Sequence, residues 1–167
     1  LKVPHGDTLS DLVPMIPLFL SYILSFIFIG IYWNNHHHLF QLVDSVDGRS
    51  LWANSHLLFW LSLIPVTTAW MGENHTRPWP VAVYGIVLMM CGFAYFILTK
   101  ALLNAPGKNE KLSRAIGNEL KEKISVLIYG LAIPLAFVHC WIAYSLYILV
   151  AILWLVPDTR IERTLQS

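Results

Sequence analysis

Residues 79 to 99 read WPVAVYGIVLMMCGFAYFILT and contain no Asp, Glu, Lys or Arg. An α-helix of about 20 apolar residues is long enough to cross the hydrocarbon core of a bilayer. No side of this helix would be polar enough to face water, as a surface helix of a soluble protein must. The stretch therefore predicts a transmembrane helix.

Three further stretches repeat this pattern: residues 12 to 33, 51 to 71 and 124 to 156 also contain no charged side chain. The whole chain is 56% hydrophobic and 13% charged, whereas a soluble domain is about 25% charged. We therefore expect an all-α fold, a polytopic membrane helix bundle that forms one transmembrane domain over residues 1–167.

The last uncharged stretch is too long for one membrane crossing. As a single helix, residues 124 to 156 would extend about 50 Å, and a bilayer core is roughly 30 Å thick. Two helices with a turn near Trp141 fit better. The sequence thus predicts five transmembrane helices at about 18–40, 51–71, 79–103, 123–140 and 143–160.

The Lys and Arg residues predict the orientation, because cytoplasmic loops carry them in excess. With the N-terminus outside and the C-terminus cytoplasmic, nine of the 11 basic residues are cytoplasmic and only Lys2 and Arg77 are outside. The nine are Arg49, Lys100, Lys108, Lys111, Arg114, Lys121, Lys123, Arg160 and Arg163. No visible signal would carry an external N-terminus across the membrane, so we expect a further spanning helix upstream of residue 1.

Two polar clusters interrupt the apolar helices. The first is Trp33-Asn34-Asn35-His36-His37-His38 and the second is Asn54-Ser55-His56. Polar groups at membrane depth need partners inside the protein, so we expect the two clusters to meet each other or a third helix. Three consecutive His residues cannot face one metal ion, because successive helix positions turn by about 100°. Hydrogen bonding is the favoured role, with a titrating His stack and a structural metal site as alternatives.

Several functions are disfavoured by residues that the sequence lacks. No Asp or Glu lies in the middle of a predicted membrane helix, which weakens a proton-coupled transporter or an intramembrane protease. The net charge of +1 disfavours a nucleic-acid partner, which needs a concentrated basic surface. Cys91 and Cys140 lie in apolar stretches, where a buried thiol is favoured over a disulfide. We expect no enzyme activity and no cofactor or metal site.

The motifs that remain resemble those of a known family. Trp33, His36, Leu39-Phe40, Asn54 and the stretch Leu58-Phe59-Trp60-Leu61-Ser62-Leu63-Ile64-Pro65 are followed, near the C-terminus, by Trp154-Leu155-Val156-Pro157-Asp158-Thr159-Arg160-Ile161-Glu162. In this combination the chain resembles the transmembrane protein 175 potassium-channel family, in its prokaryotic branch. Members of that branch are six-helix subunits that assemble as homotetramers and conduct potassium without the Thr-Val-Gly-Tyr-Gly filter, which is also absent here.

The resemblance implies that the five predicted helices are the second to the sixth of the family. The family's first helix carries an Arg-x-x-x-Phe-Ser-Asp motif and the apolar residues of the pore, and neither is found in this chain. Trp33, His36 and Asn54 match the polar positions that hold that motif in place, and His37 and Trp60 are possible additions.

The resemblance therefore implies a subunit of a potassium-selective channel in the cell membrane. Potassium would pass by passive, leak-type permeation through an apolar constriction, and the partners would be the lipid bilayer, potassium ions and three further copies of the subunit. Two alternatives from other classes stay open: a membrane redox protein that ligates haem or a metal through His36, His37 or His56, and a membrane scaffold that does not conduct.

Overall fold

The computed structural model of the protein describes residues 12–13, 15–106, 112–113 and 120–155. These residues contain five long α-helices and no strand, as the sequence predicts. The helices are α1 (Ile16–Gln41), α2 (Gly48–Glu73), α3 (Pro78–Leu103), α4 (Leu120–Val138) and α5 (Cys140–Leu155). Most of the charged segment between α3 and α4, and the predicted end of the last helix at residue 160, lie outside the described residues.

Helices α1 and α2 form an antiparallel hairpin, and a short polar turn joins them. Asp47 is the N-cap of α2, and its side chain accepts hydrogen bonds from the backbone N–H of Ser50 at 2.9 Å and from the Ser50 hydroxyl at 2.7 Å. Asp is among the preferred N-cap residues, because its oxygen satisfies an N–H group that has no partner within the helix. The cap starts α2 three residues before the predicted position 51.

Helices α4 and α5 show the clearest difference from the predicted boundaries. The break falls at His139, two residues before the position near Trp141 at which the sequence predicts a turn. His139 donates its N–H to the Leu135 carbonyl at 2.9 Å, and Ile142 donates its N–H to the His139 carbonyl at 3.0 Å. Because helical hydrogen bonding continues up to His139 and resumes directly after it, one residue makes the turn and no Gly or Pro marks it.

Helix α3 lies at the centre of the bundle. It packs against α2 on one side and against α4 and α5 on the other, while α1 packs against α2 and α5. Val81, Leu88, Cys91, Ala94 and Leu98 on α3 are completely buried. Among the described residues, α3 is also the one helix that is long and apolar enough to span a membrane, and α5 is apolar but has 16 residues.

The two ends of the bundle differ in the number of described Lys and Arg residues. The Ser45 hydroxyl in the α1–α2 turn donates a hydrogen bond to the Pro106 carbonyl after α3 at 2.7 Å. This contact brings the Arg49 region and the Lys100 region to the same end, which we call the basic end. Trp154 and Ser125 hydrogen-bond near the free ends of the α4–α5 hairpin, and the start of α4 carries Lys121 and Lys123.

Candidate polar site between α1 and α2

A hydrogen bond between His36 and Asn54 forms the centre of the site. The distance from His36 Nε2 to Asn54 Oδ1 is 2.7 Å, and both side chains are half-buried. Since the amide oxygen can only accept, His36 Nε2 carries the proton and donates it. The prediction that the two polar clusters meet is confirmed for this pair.

The hairpin geometry explains why these two residues meet. His36 lies six residues before Leu42, where α1 has ended, and Asn54 lies seven residues after the cap Asp47. Antiparallel helices that start from one turn reach the same depth after equal numbers of residues, at 1.5 Å per residue. Both side chains are therefore about two turns from the basic end. The His36 ring also contacts Phe40, with a centroid distance of 4.5 Å.

Trp33 and His37 lie on a neighbouring, outward-facing ridge of α1. Trp33 is 64% exposed, and its indole stacks on the imidazole of His37 with centroids 5.2 Å apart and an interplanar angle of 6°. Gln41 lies one turn further on and donates its side-chain N–H to His37 Nε2 at 3.0 Å. Trp33 and His37 therefore form an exposed polar and aromatic surface beside the His36–Asn54 pair.

Trp60 lies on α2, one turn beyond His56. Its indole N–H donates to His56 Nε2 at 2.9 Å, so that nitrogen is unprotonated and the ring proton is on Nδ1. Trp60 is half-buried and packs against both hydrophobic core clusters of the bundle. It therefore supports α2 from the interior of the bundle.

The histidines do not converge on one point. His36 bonds to Asn54, His37 to Gln41 and His56 to Trp60, so each Nε2 atom already has a different partner. In the part of the chain that the structure describes, no group of three His, Cys, Asp or Glu side chains is placed to hold a metal ion.

Asn35 is a further polar residue at this level, and the sequence analysis did not single it out. Its side-chain N–H groups donate to the Ile31 carbonyl at 2.8 Å and to the Trp154 carbonyl on α5 at 3.3 Å. The main-chain carbonyl of Asn35 accepts a hydrogen bond from the Tyr95 hydroxyl at 3.3 Å. Its position within a polar cluster was visible in the sequence, but its partners are 60 and 119 residues away in the chain, so only the packing of the helices shows them.

Comparisons with known proteins place the site in a family. The family model described as "Endosomal/lysosomal potassium channel TMEM175" matches residues 1–65. A potassium channel of Chryseobacterium sp. strain P1-3 is 52% identical over all 167 residues, which cover 87% of that relative. The chain belongs to the TMEM175 potassium-channel family.

More distant members of the TMEM175 family match most of the chain as well. A potassium channel of Streptomyces collinus is 27% identical over 91% of this chain and 79% of the relative. One of Chamaesiphon minutus is 24% identical over 86% of this chain and 73% of the relative. No solved structure gives a significant match.

Family membership sets the environment of the polar site. The TMEM175 family consists of ion channels and is not an enzyme class, and its members are integral membrane proteins. His36 and Asn54 lie within the part of the chain that the family model matches. In a membrane protein, a polar pair at this depth acts as an attachment between helices, because lipid offers no alternative partner.

Proposed function

We propose that the chain is a subunit of a potassium-selective channel that conducts passively through an apolar constriction in the cell membrane. The observation that carries the proposal is the 52% identity, over the whole chain, to a protein named as a potassium channel. The family match over residues 1–65 supports it independently. Permeant potassium needs no bound cofactor and no covalent chemistry.

All five helices cross the membrane in this proposal. Helices α1, α2 and α3 have 26 residues each and are therefore about 39 Å long, longer than a bilayer core of roughly 30 Å. Helices α4 and α5 have 19 and 16 residues, or about 29 and 24 Å, and reach both interfaces with local thinning of the bilayer. Phe19 and Phe26 on α1 are 57% and 68% exposed, which suits contact with lipid or a neighbouring subunit.

The charge distribution supports a cytoplasmic basic end. Of the Lys and Arg residues that the structure describes, Arg49, Lys100, Lys121 and Lys123 lie at the basic end and Arg77 lies at the opposite end. Cytoplasmic segments are enriched in Lys and Arg. The proposal therefore places the first residues of the chain outside and its C-terminus in the cytoplasm.

We propose a homotetramer whose constriction is built from apolar side chains. The uncharged stretches of the helices supply no ring of acidic side chains, and no Thr-Val-Gly-Tyr-Gly filter occurs in the sequence. The lack of this filter motif and of acidic rings supports a constriction formed by a narrow apolar gate with few polar groups. Five helices are too few to form both a packed core and a pore, so several copies are needed.

Trp33, His36 and Asn54 have a positioning role in this proposal, with His37 and Trp60 in support. They form the surface on which a further helix of the channel packs and is held by hydrogen bonds. The exposed Trp33–His37 stack lies beside the half-buried His36–Asn54 pair, so one helix can contact an aromatic face and a polar pair at once. Polar contacts of this kind order helices in a membrane.

A potassium flux assay in liposomes tests the proposal. Two proteins are compared at matched incorporation. The first is the 167-residue chain. The second, which we call the extended protein, is the same chain joined to the residues of the Chryseobacterium relative outside the match, which make up 13% of its length because the match covers 87%. We expect potassium flux that exceeds sodium flux from the extended protein, and the flux of the 167-residue chain measures what the added residues contribute. Equal potassium and sodium flux, or no flux from either protein, contradicts the proposed function.

A matched pair of variants tests the polar site in the extended protein. Asn54→Leu removes the partner of His36, whereas Ser55→Ala changes an exposed hydroxyl that bonds only to the Leu51 carbonyl of its own helix. We expect Asn54→Leu to reduce flux by disturbing assembly while the potassium-to-sodium ratio stays close to that of the parent protein. Equal flux from both variants would show that the pair does not position a helix.

A further inference from the structure

Asn35 and His36 are adjacent on α1, yet they bond in different directions. His36 reaches Asn54 on α2, while Asn35 reaches the Trp154 carbonyl on α5 at 3.3 Å. Successive residues of a helix point about 100° apart, so one turn of α1 is attached to two different helices at one depth. The second attachment uses a different side chain and a different helix from the His36–Asn54 pair.

The Trp154 side of this attachment is itself held on two sides. The Trp154 indole N–H donates to the Ser125 hydroxyl on α4 at 2.8 Å, and its ring packs edge-on against Tyr95 on α3 at a centroid distance of 5.7 Å. Tyr95 in turn donates its hydroxyl to the Asn35 carbonyl at 3.3 Å. Asn35, Tyr95, Ser125 and Trp154 therefore join α1, α3, α4 and α5, and we call them the Asn35 network.

The position of Trp154 gives the network a specific task. Trp154 lies in the last described turn of α5, and the sequence continues with Val156-Pro157. A proline has no N–H to donate and disfavours helical conformation in the residue before it, so the sequence weakens helical hydrogen bonding near this position. The Asn35 side chain adds a donor from α1 to a carbonyl in this part of α5.

We propose that Asn35 is a positioning residue that fixes the end of α5 to α1 at the level of the His36–Asn54 pair. The end of α5 and the polar site then shift together, because one turn of α1 bonds to both. A disturbance of the last turn of α5 is transmitted to the polar site through Asn35. The link between this attachment and conduction rests on the proposed function, but the attachment itself does not.

Hydrogen exchange of the protein in detergent tests the attachment without any channel assay. Asn35→Leu removes the side-chain donors at similar size, and Asn34→Leu is the matched control, since Asn34 is half-buried and makes no hydrogen bond to the described residues. We expect backbone amides of residues 150–155 to exchange about 3- to 18-fold faster in Asn35→Leu, the range typical of one interhelical hydrogen bond. The exchange rates of the same amides should not change in Asn34→Leu. Equal exchange in both variants overturns the proposal.

A milder variant covers the case in which Asn35→Leu does not fold. Tyr95→Phe removes only the hydroxyl that bonds to the Asn35 carbonyl and keeps the ring against Trp154. We expect it to accelerate exchange at residues 150–155 in the same direction by a smaller factor. No change in Tyr95→Phe together with an unfolded Asn35→Leu counts against the network.

Potassium flux then tests the coupling to the polar site. If Asn35 and Asn54 act through the same turn of α1, the double variant Asn35→Leu/Asn54→Leu loses no more flux than the more severe single variant. Two independent structural defects would instead multiply their losses, and that result overturns the coupling. If the unsubstituted extended protein carries no potassium flux, the proposed function fails, and the exchange experiment still decides the attachment.

Discussion

The His36–Asn54 hydrogen bond allows a quantitative prediction, because both partners can be replaced separately. At 2.7 Å and with both side chains half-buried, it has good geometry and little competition from water. Interhelical hydrogen bonds in membrane proteins contribute about 0.6 kcal/mol on average and up to about 1.7. We therefore expect a coupling free energy of about 0.6 to 1.7 kcal/mol between His36→Leu and Asn54→Leu, or a factor of about 3 to 18 in the unfolding equilibrium constant.

The measurement is a double-mutant cycle on unfolding in mixed detergent micelles. The cycle removes effects that each substitution has by itself, such as lost packing of the His36 ring against Phe40. The control cycle pairs Asn54→Leu with His37→Leu, because His37 is exposed and bonds to Gln41. The effects of Asn54→Leu and His37→Leu on the free energy of unfolding should add. A coupling near zero for His36 and Asn54, or an equal coupling in the control cycle, would refute the assignment of this pair as an attachment.

Two further predictions concern the ends and the centre of the bundle. Asp47→Ala should lower the free energy of unfolding, as loss of an N-cap does. The Ser50 backbone and hydroxyl donors lower the pKa of Asp47. The contribution of Asp47 to stability is therefore present above the unfolded pKa of about 3.9 and is lost as the pH falls through the folded pKa. Unfolding measured between pH 2 and 7 should show this loss in the parent protein and not in Asp47→Ala. Gly85→Ala should destabilise the protein by about 1 to 3 kcal/mol, because the new Cβ would lie 2.9 Å from Tyr147 Cζ and 3.2 Å from Ile133 Cγ1. Gly130→Ala is the control, because its new Cβ would have nothing within 4 Å. Equal thermal midpoints for the two variants would contradict the packing argument.

The Tyr147 contact shows why Gly85 is sensitive. Tyr147 on α5 donates its hydroxyl to the Val81 carbonyl on α3 at 3.0 Å, and Val81 lies one turn before Gly85. An added methyl group must displace this ring and with it a buried hydrogen bond. Small residues let helices in membranes approach closely, and here the small residue makes room for an aromatic side chain of the neighbouring helix.

Uncharged stretches longer than 20 residues predicted the number and approximate bounds of the helices, because membrane helices must be apolar along their length. The α1–α2 hairpin also followed from the sequence, since Asp47 and its neighbours mark a polar turn. The break at His139 did not, because a one-residue turn between two apolar helices leaves no compositional mark. Trp141, which was expected at that turn, lies in the first turn of α5.

The contacts of the candidate site could be predicted from the sequence only within the α1–α2 hairpin. His36 and Asn54 are equally distant from one turn, so their meeting follows from helix geometry and the cost of exposing them to lipid. Asn35 is chemically as conspicuous as His36 in the sequence, but its partners lie on helices that are remote in the chain. Sequence distance from a turn predicts contacts within a hairpin and cannot predict which face meets the third, fourth or fifth helix.

The basic-end half of α1 is therefore held on two sides, while its other half presents mostly apolar side chains outward. Ile16, Phe19, Ile23, Phe26 and Ile27 are all exposed, whereas Ser21, Ser25 and Phe28 in the same half are buried. Van der Waals contacts with lipid and with another helix are of similar strength, so an apolar helix half gains little from either one. The hydrogen bonds of Asn35 and His36 attach the basic-end half of α1 to α5 and α2. Substitutions at Asn35 or Asn54 should therefore change the position of the whole helix, whereas apolar exchanges near Phe19 or Phe26 should change only its local neighbours.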